Sequence, residues 1–293
     1  MPRQPLSRSG EVADDPLLRL VSHDFNAGMK YLIPLLLALP TLATAECGPD
    51  APCEIEGGSY HMLAPESADE KMPALVFFHG HNARGTMIFR GGIKSDFAED
   101  GYVVIAPNGT PIEGRKTLRW SGRDGSSRDD VRFTLDVIKD AASKANIDLE
   151  RVYVAGFSAG GSMAWLMACK EAEHFAGFAS ISGALRQPND TNNCPTAPVR
   201  FLQIHGFGDN QVPFEGRGIR DWHQGSLWDS LALARTANQC RSHPDTIEIG
   251  EQFRCRTWDN SCGAGAIQFC EHDGGHGIPR GWTKMARDWF EAG

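Results

Sequence analysis

Short continuous apolar runs, each closed by a turn signal and set apart by stretches of helical spacing, constrain this chain more than anything else in it. Ala74-Leu75-Val76-Phe77-Phe78 ends in His79-Gly80, and Tyr102-Val103-Val104-Ile105-Ala106 is stopped by Pro107-Asn108-Gly109. Residues 152–155 have the same form, and 178–181 and 199–204 read as further strands. A strand with one wet face alternates, whereas an unbroken apolar run is one that can be buried on both faces, as in a parallel sheet covered by helices. The segments between supply the helices. Asp129 or Asp130 can cap one in which Val131, Leu135, Ile138 and Ala142 share a face. Residues 227–239 read as another helix, and 282–290 as a closing one. Residues 246–257 and 266–270 read as strands joined by a Gly-rich turn. This order predicts an α/β architecture, a mostly parallel central sheet flanked by helices. A length of 293 residues suits one large domain of that kind.

The first 45 residues are expected to stand outside that domain. Met29-Lys30 precedes the apolar run Tyr31-Leu32-Ile33-Pro34-Leu35-Leu36-Leu37-Ala38-Leu39-Pro40, and Ala43-Thr44-Ala45 is a small-x-small cleavage pattern. A basic start, a short apolar stretch and such a site read as a secretory signal. The run is too short for an ordinary membrane-spanning helix. Translation is therefore expected to start at Met29, the mature chain at Glu46, and residues 46–293 to form a single exported domain with no membrane span. All eight cysteines (47, 53, 169, 194, 240, 255, 262 and 270) follow Ala45. An even number in an exported chain favours disulfides, and with no CxxC pair zinc is not expected. The net charge of −8 and the lack of a basic run argue against a nucleic-acid partner.

Gly156-Phe157-Ser158-Ala159-Gly160 fits G-x-S-x-G, directly after one predicted strand and before an apolar helical stretch. That context makes it a nucleophile elbow of the α/β-hydrolase fold, with Ser158 as nucleophile. A serine needs an adjacent base, and in this fold the chain order is Ser, Asp or Glu, then His. His276, in Asp273-Gly274-Gly275-His276-Gly277, follows the last strand and is the candidate base. His272 lies on the strand end and should point elsewhere, and His205 reads as a packed structural histidine. Asp209, just beyond a buried strand, is the candidate acid. Asp221 lies farther from any strand end, and Asp273, so close to His276, reads as a turn cap. An oxyanion needs two backbone N–H donors: Ala159 after the nucleophile, and one from the loop after the first long strand, His81 or, next, Asn82. Glu271, His272, Asp273 and His276 share no helix face, so no metal is expected there. Triad chemistry of this kind calls for no cofactor.

On these residues the chain resembles the secreted polyhydroxybutyrate-depolymerase and feruloyl-esterase family. The likeness runs from about Ile55 to the C-terminus. It shows in Phe78-His79-Gly80, Ser127-Arg128-Asp129-Asp130-Val131, Gly156-Phe157-Ser158-Ala159-Gly160-Gly161, and His205-Gly206 with Asp209 and Val212-Pro213. Where that family carries Gly-Gly-His-x-Trp-Pro, this chain has Gly274-Gly275-His276-Gly277-Ile278-Pro279, so Ile278 replaces an aromatic wall. The family's Cys-Gly-Gln after His-Gly is replaced by His81-Asn82-Ala83. The resemblance implies hydrolysis of hydroxyalkanoate esters or of feruloyl or acetyl polysaccharide esters. It also implies the pairs Cys169–Cys194 and Cys240–Cys262, leaving Cys255 with Cys270 and Cys47 with Cys53.

The long polar loop 109–127 carries Trp120, which with Phe157 and Ile278 is the expected wall of the substrate cleft; Trp222 and Trp228 lie after Asp209. Two other classes stay open, a secreted serine peptidase of the same fold and a non-catalytic polymer-binding module.

Overall fold

The computed structural model describes residues 47–293 apart from 66–69, 90–91, 121–127, 190 and 221. The expected signal segment and Asp221 lie outside the described residues. The described chain falls in one compact unit.

Ten strands make the main sheet: β1 (Cys53–Ile55), β2 (Gly58–Leu63), β3 (Met72–Phe78), β4 (Val103–Pro107), β5 (Ile147–Phe157), β6 (Gly177–Ile181), β7 (Arg200–Gly206), β8 (Thr246–Ile249), β9 (Arg254–Trp258) and β10 (Ala266–His272). Their spatial order is β1-β2-β4-β3-β5-β6-β7-β10-β9-β8. From β4 to β10 every pairing is parallel. The outer strands pair antiparallel. Both faces of the centre are covered. Ala74, Val76 and Phe78 of β3 pack into one core with α1 (Asp130–Ala142), α2 (Ala159–Glu171) and α3 (Leu227–Ala237), while Leu75 and Phe77 pack into the other with α4 (Trp282–Glu291). That two-sided burial is why the run does not alternate.

Three details differ from the expectation. On α1, capped by Asp129 through its bond from the Arg132 amide, the buried stripe is Phe133, Thr134, Val137, Ile138 and Ala141. Val131, Leu135 and Ala142 flank it half-buried, because the helix is turned so that Phe133 faces the sheet. The segment 246–257 is two strands, not one: the Gly250 amide bonds the Phe253 carbonyl in a tight turn that folds β8 back on β9. Strands β1 and β2 carry mixed polarity and gave no apolar run to detect. The four disulfides join Cys47–Cys53, Cys169–Cys194, Cys240–Cys262 and Cys255–Cys270, the pairing the resemblance implied.

The chain leaves β3 for β4 on one side and returns to β5 on the other, so connections diverge between β3 and β5. Just outside the carboxyl ends at such a switch point an open α/β sheet offers a crevice that no connection covers. His79-Gly80-His81 follows β3, and Ser158 follows β5.

Candidate active site

Strand β5 passes into α2 through one residue. Ser158 has φ 57° and ψ −116°, a strained conformation for a side-chain-bearing residue. Its amide is held by the Ile181 carbonyl at 2.8 Å. The turn is possible only because its neighbours are small: a Cβ on Gly160 would sit 2.0 Å from the Phe78 carbonyl oxygen. Gly160 thus lets the helix start press against the end of β3, so Ser158 and the loop after β3 meet.

His276 bridges Ser158 and Asp209. Its Nδ1 lies 2.8 Å from Asp209 Oδ2 and its Nε2 2.8 Å from Ser158 Oγ. With a carboxylate on one side, Nδ1–H donates to Asp209 and Nε2 is left to accept the serine proton. The loops bearing Asp209 and His276 are sewn together: the Phe207 amide donates to the His272 carbonyl at 2.7 Å and the Gly208 amide to the Gly274 carbonyl at 3.0 Å. Gly206 permits this, since a Cβ there would lie 2.3 Å from the Gly275 carbonyl oxygen.

Asp209 is buried. Its Oδ1 accepts the amides of Gln211 and Val212 at 2.9 and 2.8 Å. Burial opposes its charge, but the bonds from His205, His276 and the Val212 amide outweigh burial and hold its carboxyl well below the usual range. His205, expected only to pack, is fully buried with Nε2 3.4 Å from Asp209 Oδ2. The Gln203 amide, itself taking the Trp165 indole N–H at 2.8 Å, donates to His205 Nδ1 at 3.1 Å. His205 Nε2 therefore carries the proton, which it gives to the Val212 carbonyl at 2.8 Å beside the acid. Trp165 and Gln203 carry no signal in the sequence, and His205 reads there only as a packed histidine; the hint to its place beside Asp209 is a buried strand ending in His-Gly four residues before the Asp.

The other candidates separate. His272 is buried and accepts the Gly274 amide at 3.0 Å. Asp273 is not a turn cap: it is exposed and paired with Arg254 at 2.5 Å. Ala159 begins α2, so helix geometry leaves its N–H without an intrahelical acceptor. The Asn82 amide, the second candidate donor of that loop, is spent on the Leu118 carbonyl at 3.0 Å. His79 braces the same loop. Its Nε2 accepts the Gly109 amide at 3.0 Å and its Nδ1–H donates to the Gly80 carbonyl at 2.8 Å.

Trp120 is not a wall of an open cleft. It is 2% exposed, with its indole N–H on the His79 carbonyl at 2.9 Å and its ring on Phe78 and His79. A tryptophan in a polar loop buries itself against the nearest apolar surface, here the end of β3. Phe157 stands half-buried with its ring 5.1 Å from the His276 ring. Ile278 is 47% exposed and shares a groove with His276, Gly277 and Gln252. Trp228 packs on Phe214 and Phe269 rather than toward Ser158. No helix among the described residues is long and apolar enough to cross a membrane.

The solved structures most like this one include an acetyl xylan esterase from Aspergillus awamori, with TM-score 0.63 and 15% identity over 81% of this chain and 95% of that one. A Bacillus cereus carboxylesterase gives 0.55 and 13%, with the same coverages. Both share the fold, which is that of the α/β hydrolases. In sequence the chain is 28% identical to feruloyl esterase B of Piromyces equi over 77% of its length, spanning 43% of that protein. It is also 28% identical to a probable feruloyl esterase C of Aspergillus niger over 78% of its length and 80% of that protein. Fold and relatives together define a carboxylic ester hydrolase. Residues 59–190 match the family described as "Esterase PHB depolymerase". That span holds Ser158 and the loop after β3 and stops short of Asp209 and His276.

Proposed function

We propose that Ser158, His276 and Asp209 are the catalytic triad of a secreted serine esterase, with the amides of His81 and Ala159 as its oxyanion hole. The observation that carries this reading is the unbroken bonded path from Asp209 through His276 to Ser158, 2.8 Å at each step. Ser158 Oγ attacks the ester carbonyl as its proton passes to His276 Nε2. The cation so formed is stabilised by Asp209, and the carbonyl oxygen gains its negative charge facing the two amides. His276 returns the proton to the departing alcohol, and water then releases the acid by the reverse sequence. Ser158→Ala should lower ester turnover by on the order of a thousandfold or more while KM changes little. A Ser158→Ala enzyme within tenfold of the parent would end this assignment.

Residues 46–293 are proposed as the mature domain. The four disulfides support export, as does the apolar stretch before Ala43-Thr44-Ala45. A mature N-terminus at Glu46 and no thiol alkylated before reduction, both read by intact mass, are the expected results. For substrate, the named activities of the relatives favour feruloyl or acetyl polysaccharide esters, with hydroxyalkanoate esters second. Ile278 in place of a tryptophan removes one stacking surface, so soluble short-chain and aromatic-acid esters should be cleaved better than solid polyester. A panel of acetyl, feruloyl and hydroxybutyrate esters decides between them, and rapid clearing of a polyester film would reverse the order.

A further inference from the structure

The whole chain has a formal charge of −8, yet the rim beside the loop after β3 is basic. A small hairpin, Thr110–Pro111 paired with Leu118–Arg119, lies against residues 82–84. The Asn82 amide donates to the Leu118 carbonyl at 3.0 Å and the Leu118 amide to the Ala83 carbonyl at 3.3 Å. The Thr117 hydroxyl donates to the Asn82 side-chain oxygen at 3.2 Å, and the Arg84 guanidinium donates to the Lys116 carbonyl. These bonds hold Arg115, Lys116 and Arg119 at the edge of the segment that bears His81. Glu113 is the acidic residue of the same hairpin. Among the described residues, Arg84, Arg115, Lys116 and Arg119 have no carboxylate at ion-pair distance. Behind them Arg186 lies over the Trp222 ring at 5.2 Å and donates to the Trp120 carbonyl at 3.2 Å.

The charges reach the site. Burial first, then Arg186, Arg115 and Arg119, hold the His81 imidazole below the ordinary histidine value. Like charges gathered on one edge of an otherwise acidic protein repel one another and concentrate a field there. Arginine forks match a carboxylate in two parallel bonds.

We propose that this basic hairpin is a subsite for a carboxylate carried by the ester substrate, so that the preferred esters have an acid group on their acyl or alcohol part. The inference rests on ester hydrolysis at Ser158 and narrows the class of ester.

Two matched pairs test it: nitrophenyl hemisuccinate against nitrophenyl pentanoate for the acyl side, and acetoxybenzoate against its methyl ester for the alcohol side. At low salt, kcat/KM should favour the acid member of at least one pair by roughly three- to tenfold, the scale of a few partly exposed ion pairs. The preference should vanish near about 1 M salt, where the Debye length shrinks to about 3 Å. Replacing both arginines (Arg115→Glu with Arg119→Glu) should reverse the ratio, and the Arg115→Lys, Arg119→Lys pair should keep most of it. A ratio that favours the neutral ester in both pairs, ignores salt, or survives the glutamates overturns the subsite while leaving the esterase reading intact. No turnover of any of the four esters removes both.

Discussion

Protonation of His79 should loosen the oxyanion loop, and the effect can be worked out from its surroundings. His79 is 2% exposed, and burial pushes its pKa down to about 4, with Arg128 and His81 adding to that and the Gly80 carbonyl opposing it. Its neutral form is the one that fits, because Nε2 must stay bare to accept the Gly109 amide. In the unfolded chain the ring titrates near 6.5. Between those values the unfolded state binds a proton that the folded state refuses. Stability from this group is thus complete above about pH 6.5, declines as pH falls, and stops declining below about pH 4. From neutral pH to pH 5 the loss is about 2 kcal/mol. His79→Gln keeps an acceptor and a donor and has no proton to gain. Urea unfolding at pH 7.5 and 5 should therefore show the parent losing about 2 kcal/mol more than the variant. Comparing the two proteins cancels the titration of every other histidine. Equal losses would refute the bracing role and the tautomer assigned to His79.

Asp209→Asn should cut kcat by about ten-thousandfold with KM little changed. If the asparagine oxygen keeps the Gln211 and Val212 amides, its NH2 group faces His276 Nδ1 and drives the proton to Nε2; a variant within tenfold of the parent would return the role to another carboxylate. The same depressed carboxyl should stabilise the parent at neutral pH and lose that support only as pH falls below its ordinary value of about 4, a loss that acid unfolding of the asparagine variant should lack. Trp120→Phe should leave the His79 carbonyl unpaired, cost about 1–3 kcal/mol by thermal unfolding, and lower kcat with KM unchanged; a rise in KM alone would make Trp120 a substrate wall after all.

The features legible in the sequence were those written locally. Ser158 sits in a five-residue string whose strand and helix are contiguous with it, and the central strands announce themselves because both faces are apolar. Asp209 and His276 were found by chain order and by lying just past strand ends, although 67 residues separate them. The rest depends on contacts that no local pattern encodes. The rotation of α1 is set by where Phe133 finds room, and about a quarter of a turn moves Val131 from the centre of the buried stripe to its flank. Trp120 looked like a cleft residue because it stands in a polar loop, and only the placement of β3 shows that the loop folds back over His79. Asp273 was outbid as a cap by Arg254, a strand neighbour 19 residues away.

The two halves of the site are braced differently, and this bears on where change is tolerated. Ser158 and the His79–His81 loop extend two adjacent parallel strands, so backbone pairing of β3 with β5 fixes their spacing. Asp209 and His276 hang on loops that leave β7 and β10, also adjacent and parallel, but each must reach sideways to Ser158. Strand pairing alone cannot aim them. The aiming falls to two interloop amide bonds, to the pair of amides on Asp209 Oδ1, and to His205, whose orientation descends from Trp165 on α2 through Gln203. An apolar residue at Gln203 would leave the Trp165 indole N–H and His205 Nδ1 without the partners they have now, at about 1–3 kcal/mol each in a dry interior. It would also free the imidazole to turn its bare nitrogen toward Asp209. The acid would then face a lone pair where it now faces a proton, and the error would pass along the bonded path to Ser158 from a residue that touches no substrate.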